Sequence, residues 1–248
     1  MVIFARIAWS LACARIQPFL EFKFPQLRHF KKFKLPLKEW LATLPEDARF
    51  IQIGSNDGLS GDPLHEFIAK RRWTGALVEP VPFLFKKLQQ NYSAEAARLQ
   101  FVNAAISSVR GRMDLFYVSE ESRSVLDLPF WHDQLGSFDR GHIIRHLGKE
   151  IEPFIRSQPV DSILFQDLLD RVGVADFDLL HVDVEGHDYE VIRQVDLTRH
   201  NPAMVLFEIK HLAPAERDAA IVNFVRHGYR MFFYGADALA IRKDVVVG

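Results

Sequence analysis

From residue 49 onward the chain alternates short apolar runs with helix-like segments, a rhythm compatible with few folds. The runs are Arg49 to Ile53, Gly75 to Glu79, Leu99 to Ala104, Phe177 to Val184, Ala203 to Ile209, Tyr229 to Tyr234 and Ala238 to Arg242. Between them Pro63 to Arg72, Pro82 to Tyr92, Phe165 to Val172, Asp188 to Val195 and Pro214 to His227 read as helices. Strands that are apolar on both faces and separated by helices predict a mostly parallel α/β sheet covered on both sides. Only Gly235, Ala236 and Asp237 part the last two runs, so the sheet is expected to finish in an antiparallel hairpin. With 248 residues, 48% hydrophobic and 25% charged, the chain can bury one such core.

Two stretches depart from the rhythm. Residues 1–40 carry eight Lys or Arg against Glu21 and Glu39, a local net of +6, interleaved with Phe22, Phe24, Phe30 and Phe33. Pro18, Pro25 and Pro36 break this stretch before a long amphipathic helix can form. Residues 1–48 are therefore read as a helical leader that lays its aromatics on the core, with peripheral membrane contact through residues 1–40 as the alternative. Arg112 to Val118 reads as an extra strand, after which Ser119 to Gln158 holds Trp131, His132, His142, His146, Pro129 and three glycines in no clear pattern. An irregular segment of that length inside a compact domain is usually functional, so residues 119–158 are expected to cover the active site of a domain spanning 49–248.

Overall charge is nearly balanced at −1, which gives no global pull toward nucleic acid. Cys13 is the single cysteine, so neither an intramolecular disulfide nor a structural cysteine-zinc site is available, as suits a cytoplasmic protein. The apolar Ile7 to Ala14 ends in Ala12-Cys13-Ala14, but it is too short and too poorly flanked for a secretory signal.

Chemistry gathers at the ends of the expected strands. The first one runs into Gly54-Ser55-Asn56-Asp57-Gly58, where glycine permits close backbone approach to a ligand and the turn exposes amides to its polar groups. The spacing is GxxxG, so the GxGxxG pyrophosphate fingerprint of nicotinamide and flavin enzymes is absent. Glu79 closes the second strand, 21 residues after Gly58, where a carboxylate can accept hydrogen bonds from both hydroxyls of a ribose. Asp183, Glu185 and His187 sit where the fourth strand meets a helix, and Glu208 and His211 close the fifth. Ligands of open α/β sheets bind outside the carboxyl ends of the strands, so these residues converge near a reacting group.

The ordered set IQIGSNDG at 51–58, LVEP at 77–80, FVNAAIS at 101–107, DLLHVDVEGHDYEVI at 178–192 and LFEI at 206–209 resembles the FkbM family of methyltransferases. The resemblance runs from about residue 49 to 243. It implies a class I methyltransferase Rossmann-like fold with a seven-stranded sheet, S-adenosyl-L-methionine as methyl donor, and O-methylation of a sugar or small secondary metabolite. Carried over by position, Gly54 to Gly58 (with Ser55, Asn56 and Asp57) surround the methionine part of the donor, and Glu79 binds its ribose. Asn103 and Ala104 lie beside the adenine, and Asp183 faces the methionine end or the acceptor. Gln52 stands where many methyltransferases have an acid, with Asp57 as its substitute. The stretch Trp131, His132, Asp133 and Gln134, an aromatic plate beside hydrogen-bonding groups, suits a sugar or polyol acceptor, as does His211.

An acceptor hydroxyl must lose its proton, either to a general base or with the help of a metal. Asp183, Glu185 and His187 are the expected bases, with Glu208 and His211 as partners. A divalent ion on Asp183, Glu185 and Glu208 is the second version. A dehydrogenase is disfavoured by the missing fingerprint; a non-catalytic binding module of the same fold is the other rival.

Overall fold

The computed structural model describes residues 35–128 and 136–245, so most of the leader and the expected acceptor residues Trp131, His132, Asp133 and Gln134 lie outside the described residues. In chain order the elements are α1 (Leu37–Ala42), β1 (Arg49–Ile53), α2 (His65–Lys70), β2 (Thr74–Val78), α3 (Pro82–Asn91), β3 (Leu99–Val102), β4 (Ala105–Ile106) and β5 (Gly111–Val118). Then come α4 (Ser122–Val125), β6 (Gly136–Ser137), α5 (Arg140–Leu147), a 3₁₀ segment (Lys149–Phe154), β7 (Ile155–Ile163) and α6 (Phe165–Val172). The chain closes with β8 (Leu179–Val182), α7 (Asp188–Ile192), β9 (Met204–Glu208), α8 (Pro214–Arg226), β10 (Tyr229–Tyr234) and β11 (Asp237–Arg242).

Seven strands form the main sheet in the order β3-β2-β1-β8-β9-β11-β10. Pairs from β3 to β9 are parallel, and β11 runs antiparallel to both β9 and β10. The expected doubly wound sheet and its terminal hairpin are both present. Strand order reverses between β1 and β8, which opens the crevice where ligands of such sheets bind.

Side-chain alternation sorts the two faces. Ile51, Ile53, Leu180, Val182, Val205 and Phe207 point to one core, shared with Phe165 and Phe224 of the helices. Phe50, Leu179, Met204 and Leu206 point to the other, against Trp40 of α1 and Trp73. Gln52 and His181 fall on that second face and are register partners across β1 and β8, with Gln52 Nε2 3.1 Å from His181 Nδ1. Because Gln52 Nε2 also donates to Asp62 Oδ1 at 3.0 Å, this polar pair is solvated from within.

Residues that broke the rhythm build a second, four-stranded sheet, β4-β7-β5-β6, whose backbone is the long antiparallel pair of β5 and β7. Its long strands bury only a few positions and carry charges and Pro159, as antiparallel strands with a wet face do. The stretch Arg112 to Val118 read as an extra strand is β5, which ends in the apolar run Leu115 to Val118, whereas β7 offers no such run. The sheet brings α5 over the strand ends of the main sheet. Among the described residues no helix is long and apolar enough to cross a membrane.

Candidate active site

The turn after β1 is shaped by its glycines. Gly54 has φ +81°, and a Cβ there would lie 1.8 Å from the Asp183 carbonyl oxygen, so only glycine lets the ends of β1 and β8 lie this close. Gly58, at φ +71°, leaves no room for a Cβ beside Leu88 and Tyr92. The amides of Gly54 and Ser55 both donate to the Val78 carbonyl, and Ser55 Oγ accepts from Val78 N at 3.1 Å, tying the turn to β2.

Two cavities open along these strand ends. The first, about 380 Å³, is lined by Glu79 and Ala104 to Ile106 on one side and by Phe138, Val184 and His187 on the other. The second, about 320 Å³, is lined by Gln52, Asp62, His146, His181, Glu208 and Lys210. Gly54, Asn56, Asp183, Glu185 and His211 border both, so the cavities meet at the switch point of the sheet.

Glu79 is buried, and its carboxylate accepts from Val81 N at 2.8 Å and from Asn56 N at 2.9 Å. Each oxygen thus spends one lone pair on the backbone and retains another. Burial, only partly offset by these two hydrogen bonds, pushes its carboxyl up to about 7. Asn103 Nδ2 donates to the Glu79 and Pro80 carbonyls at 2.7 and 3.1 Å and braces this corner from outside the cavity.

Acidic groups crowd the junction. Burial and then repulsion from Glu185 lift Asp183 to about 7. Burial, followed by Asp183 and Glu185, carries Glu208 to about 10. Asp188, fully buried at the start of α7, is raised well above its ordinary value by burial and by Asp183. Burial also acts on Glu185, but contacts with His142 and His211 outweigh it and lower its carboxyl. Glu185 adopts φ +53°, a left-handed backbone that a non-glycine residue adopts at a cost and that functional turns often store.

Three imidazoles pack beside these acids. Stacked His142 and His146 lie one turn apart on α5, ring centroids 4.3 Å apart, and His211 meets them edge-on at 5.0 and 4.6 Å. His211 Nε2 lies 3.7 Å from Glu185 Oε2 and 3.5 Å from Glu208 Oε1, and His142 Nε2 lies 3.6 Å from Glu185 Oε2. Burial depresses His211 to about 4, helped by Lys210, and it lowers His146 and His187 as well.

Of the residues singled out from the sequence, Gly54, Asn56, Asp183, Glu185 and His211 sit where the cavities meet. Glu79, Ala104 and His187 border the first cavity, and Ser55 and Glu208 the second. Asp57 and Gly58 line neither; the Asp57 carboxylate is taken up by Leu59 and Ser60 in the turn. Asp62 lines the second cavity and accepts from Gln52, and burial raises its carboxyl to about 6. Asp62, Lys210, Phe138, His142 and His146 were not assigned to the site from sequence. The last two had a legible signal, since an H-x3-H spacing puts both on one face of a helix.

A doubly wound sheet with one antiparallel strand before its last edge, carrying a buried carboxylate after β2 and a crevice between β1 and β8, defines a class I methyltransferase fold. The chain belongs to the FkbM methyltransferase family: the Methyltransferase FkbM domain matches residues 52–231. This is a methyltransferase domain of the S-adenosylmethionine-dependent class.

Among solved structures it is similar to methyltransferase FkbM from Methylobacillus flagellatus (13% identity, TM-score 0.48), covering 79% of this chain and 44% of that one. It is also similar to precorrin-6y C5,15-methyltransferase from Geobacter metallireducens (12% identity, TM-score 0.42; 86% and 92% of the two chains). A third is fibrillarin from Aeropyrum pernix with natively bound S-adenosyl-L-methionine (13%, TM-score 0.39; 82% and 75%). The chain thus spans under half the length of the first of these. No curated protein matches it in sequence.

Proposed function

We propose that this chain transfers a methyl group from S-adenosylmethionine to a hydroxyl of a sugar or small polar metabolite, with the donor in the first cavity and the acceptor in the second. The observation that carries this reading is Asp183, a buried carboxyl on the wall common to both cavities, raised to about 7 and so able to exchange a proton near neutral pH. When bound, the donor supplies a methyl on a sulfonium, which already has a good leaving group, so positioning and proton removal are what remains for the protein.

The retained lone pairs of Glu79 take the two ribose hydroxyls, and Ala104 to Ile106 provide the apolar bed for the adenine. Gly54 and Asn56 hold the methionine end against Asp183. Gln52, Asp62, Glu208 and Lys210 converge on the second cavity, and both donors and acceptors among them suit a polyol. Asp183 receives the hydroxyl proton as the new carbon–oxygen bond forms and the carbon–sulfur bond breaks. Of the 119–158 segment, α5 acts as the cover, bordering the cavities through His142, Arg145 and His146.

Transfer of labelled methyl from S-adenosylmethionine to a panel of sugars and polyols tests this, with Asp183→Asn alongside. Acceptor-dependent incorporation that collapses in the variant is expected. Tight donor binding by folded wild type with no transfer to any hydroxylated acceptor would leave a binding module of the same fold.

A further inference from the structure

We propose that His142, His146, His211 and Glu185 form a binding site for one divalent transition-metal ion at the junction of the two cavities. The donor atoms of His142, His146 and His211 lie within 4.8 Å of one another, as do those of Glu185, Glu208 and His211, so the two groups share His211. Glu185 Oε2 is flanked by His142 Nε2 at 3.6 Å and His211 Nε2 at 3.7 Å. These separations are too long for hydrogen bonds, yet they approach the spacing of about 3.4 Å expected between ligands held tetrahedrally about 2.1 Å from an ion.

Independent features point the same way. His142 is 8% exposed, and its Nε2 has no hydrogen-bond partner among the described residues. Glu208, 9% exposed, has an unpartnered Oε2 in the same cluster. A buried imidazole nitrogen and a buried carboxylate oxygen left without partners are each costly unless something joins them. His146 Nδ1 donates to the His142 carbonyl at 2.9 Å, which places its proton there and leaves Nε2 with a free lone pair, the arrangement metal-bound histidines adopt. Asp139 caps α5 through Gly141 N at 2.8 Å and pairs with Arg145, so the helix presenting two of the ligands is anchored.

Three imidazoles and one carboxylate select a borderline ion such as Zn²⁺, Co²⁺ or Fe²⁺ over Mg²⁺ or Ca²⁺, which prefer all-oxygen sites. Among the described residues, Asp183 is outside both donor groups and stays free as the base. An ion here lies where an acceptor hydroxyl would bind and would acidify it, and that role, unlike the binding itself, rests on the methyl-transfer reading.

The protein, stripped with chelator and dialysed, is titrated with Zn²⁺ by calorimetry and with Co²⁺ by visible absorption. One ion per chain is expected, with ligand-field bands of a nitrogen-rich low-coordinate site, and at least tenfold weaker binding in His146→Ala and in Glu185→Gln. His146 does not border the donor cavity, so S-adenosylmethionine affinity and circular dichroism of His146→Ala report on folding. Substoichiometric Zn²⁺ binding by folded wild type, unaltered affinity in folded His146→Ala, or a preference for Mg²⁺ would each overturn the site. Metal binding without donor binding would keep the site and sink the methyl-transfer reading; donor binding and transfer with no metal bound at any concentration tested would do the reverse.

Discussion

Donor binding should depend on pH through Glu79. Its carboxyl is raised to about 7, and accepting two ribose hydroxyls requires the ionised form. A proton on Glu79 therefore competes with the ligand, and binding below pH 7 must release it. Linkage then makes the apparent dissociation constant grow by the factor of protonated protein: about 2-fold at pH 7, about 11-fold at pH 6 and on the order of 100-fold at pH 5, with little change above pH 8. The perturbation that isolates this group is Glu79→Gln, which cannot ionise and can accept through one oxygen only. Losing charge-assisted hydrogen bonds worth about 1.5–3 kcal/mol each predicts at least roughly 10-fold weaker binding at pH 8. Since Asp183 borders the same cavity, the informative quantity is the difference in slope between the two proteins. Calorimetry from pH 5.5 to 8.5, in buffers of differing ionisation heat, reads both affinity and protons released. Equal affinity at the two extremes in wild type, or an identical slope in Glu79→Gln, would refute the assignment of Glu79 to the ribose.

Asp183→Asn should cut turnover by about 10²- to 10⁴-fold with donor affinity changed far less, as single-turnover transfer beside calorimetry will show; equal loss in both would make Asp183 a binding group. The same group governs stability: its carboxyl is raised from the ordinary 3.8 to about 7, so its favourable contribution is complete below about pH 4 and fades as pH rises through about 7. Urea unfolding of the apoprotein between pH 5 and 8 should therefore show stability falling by up to about 1.36 kcal/mol per pH unit from this residue, and Asp183→Asn should flatten that trend. Gly54→Ala forces a Cβ into the Asp183 carbonyl and should cost at least about 2 kcal/mol in the same assay. A change below about 0.5 kcal/mol would show that β1 and β8 can part there.

Much of this protein was legible because its main sheet is buried on both faces. The apolar runs of β1, β2, β8 and β9 announce themselves, and the glycines at 54 and 58 mark where the backbone must turn sharply. Glu79, Asp183, Glu185 and Glu208 were visible as acids at strand ends. In the second sheet β5 was legible as the stretch Arg112 to Val118, whereas β7, which carries charges and Pro159 and has no apolar run, was hidden. Asp57 and Asp62 show the limit of position alone: both lie within the same loop, and only folding decides that Asp57 closes its own turn while Asp62 reaches Gln52.

The sequence by itself determined the strand–helix order, the turn chemistry and which carboxylates reach the edge of the sheet, because each is a matter of local period and backbone freedom. Tertiary structure alone decided that the His142 and His146 face of α5 would meet His211 and Glu185. That meeting joins segments far apart in the chain through the pairing of β5 with β7 and the order of β8 and β9, and no local periodicity encodes which distant faces a crossover brings together.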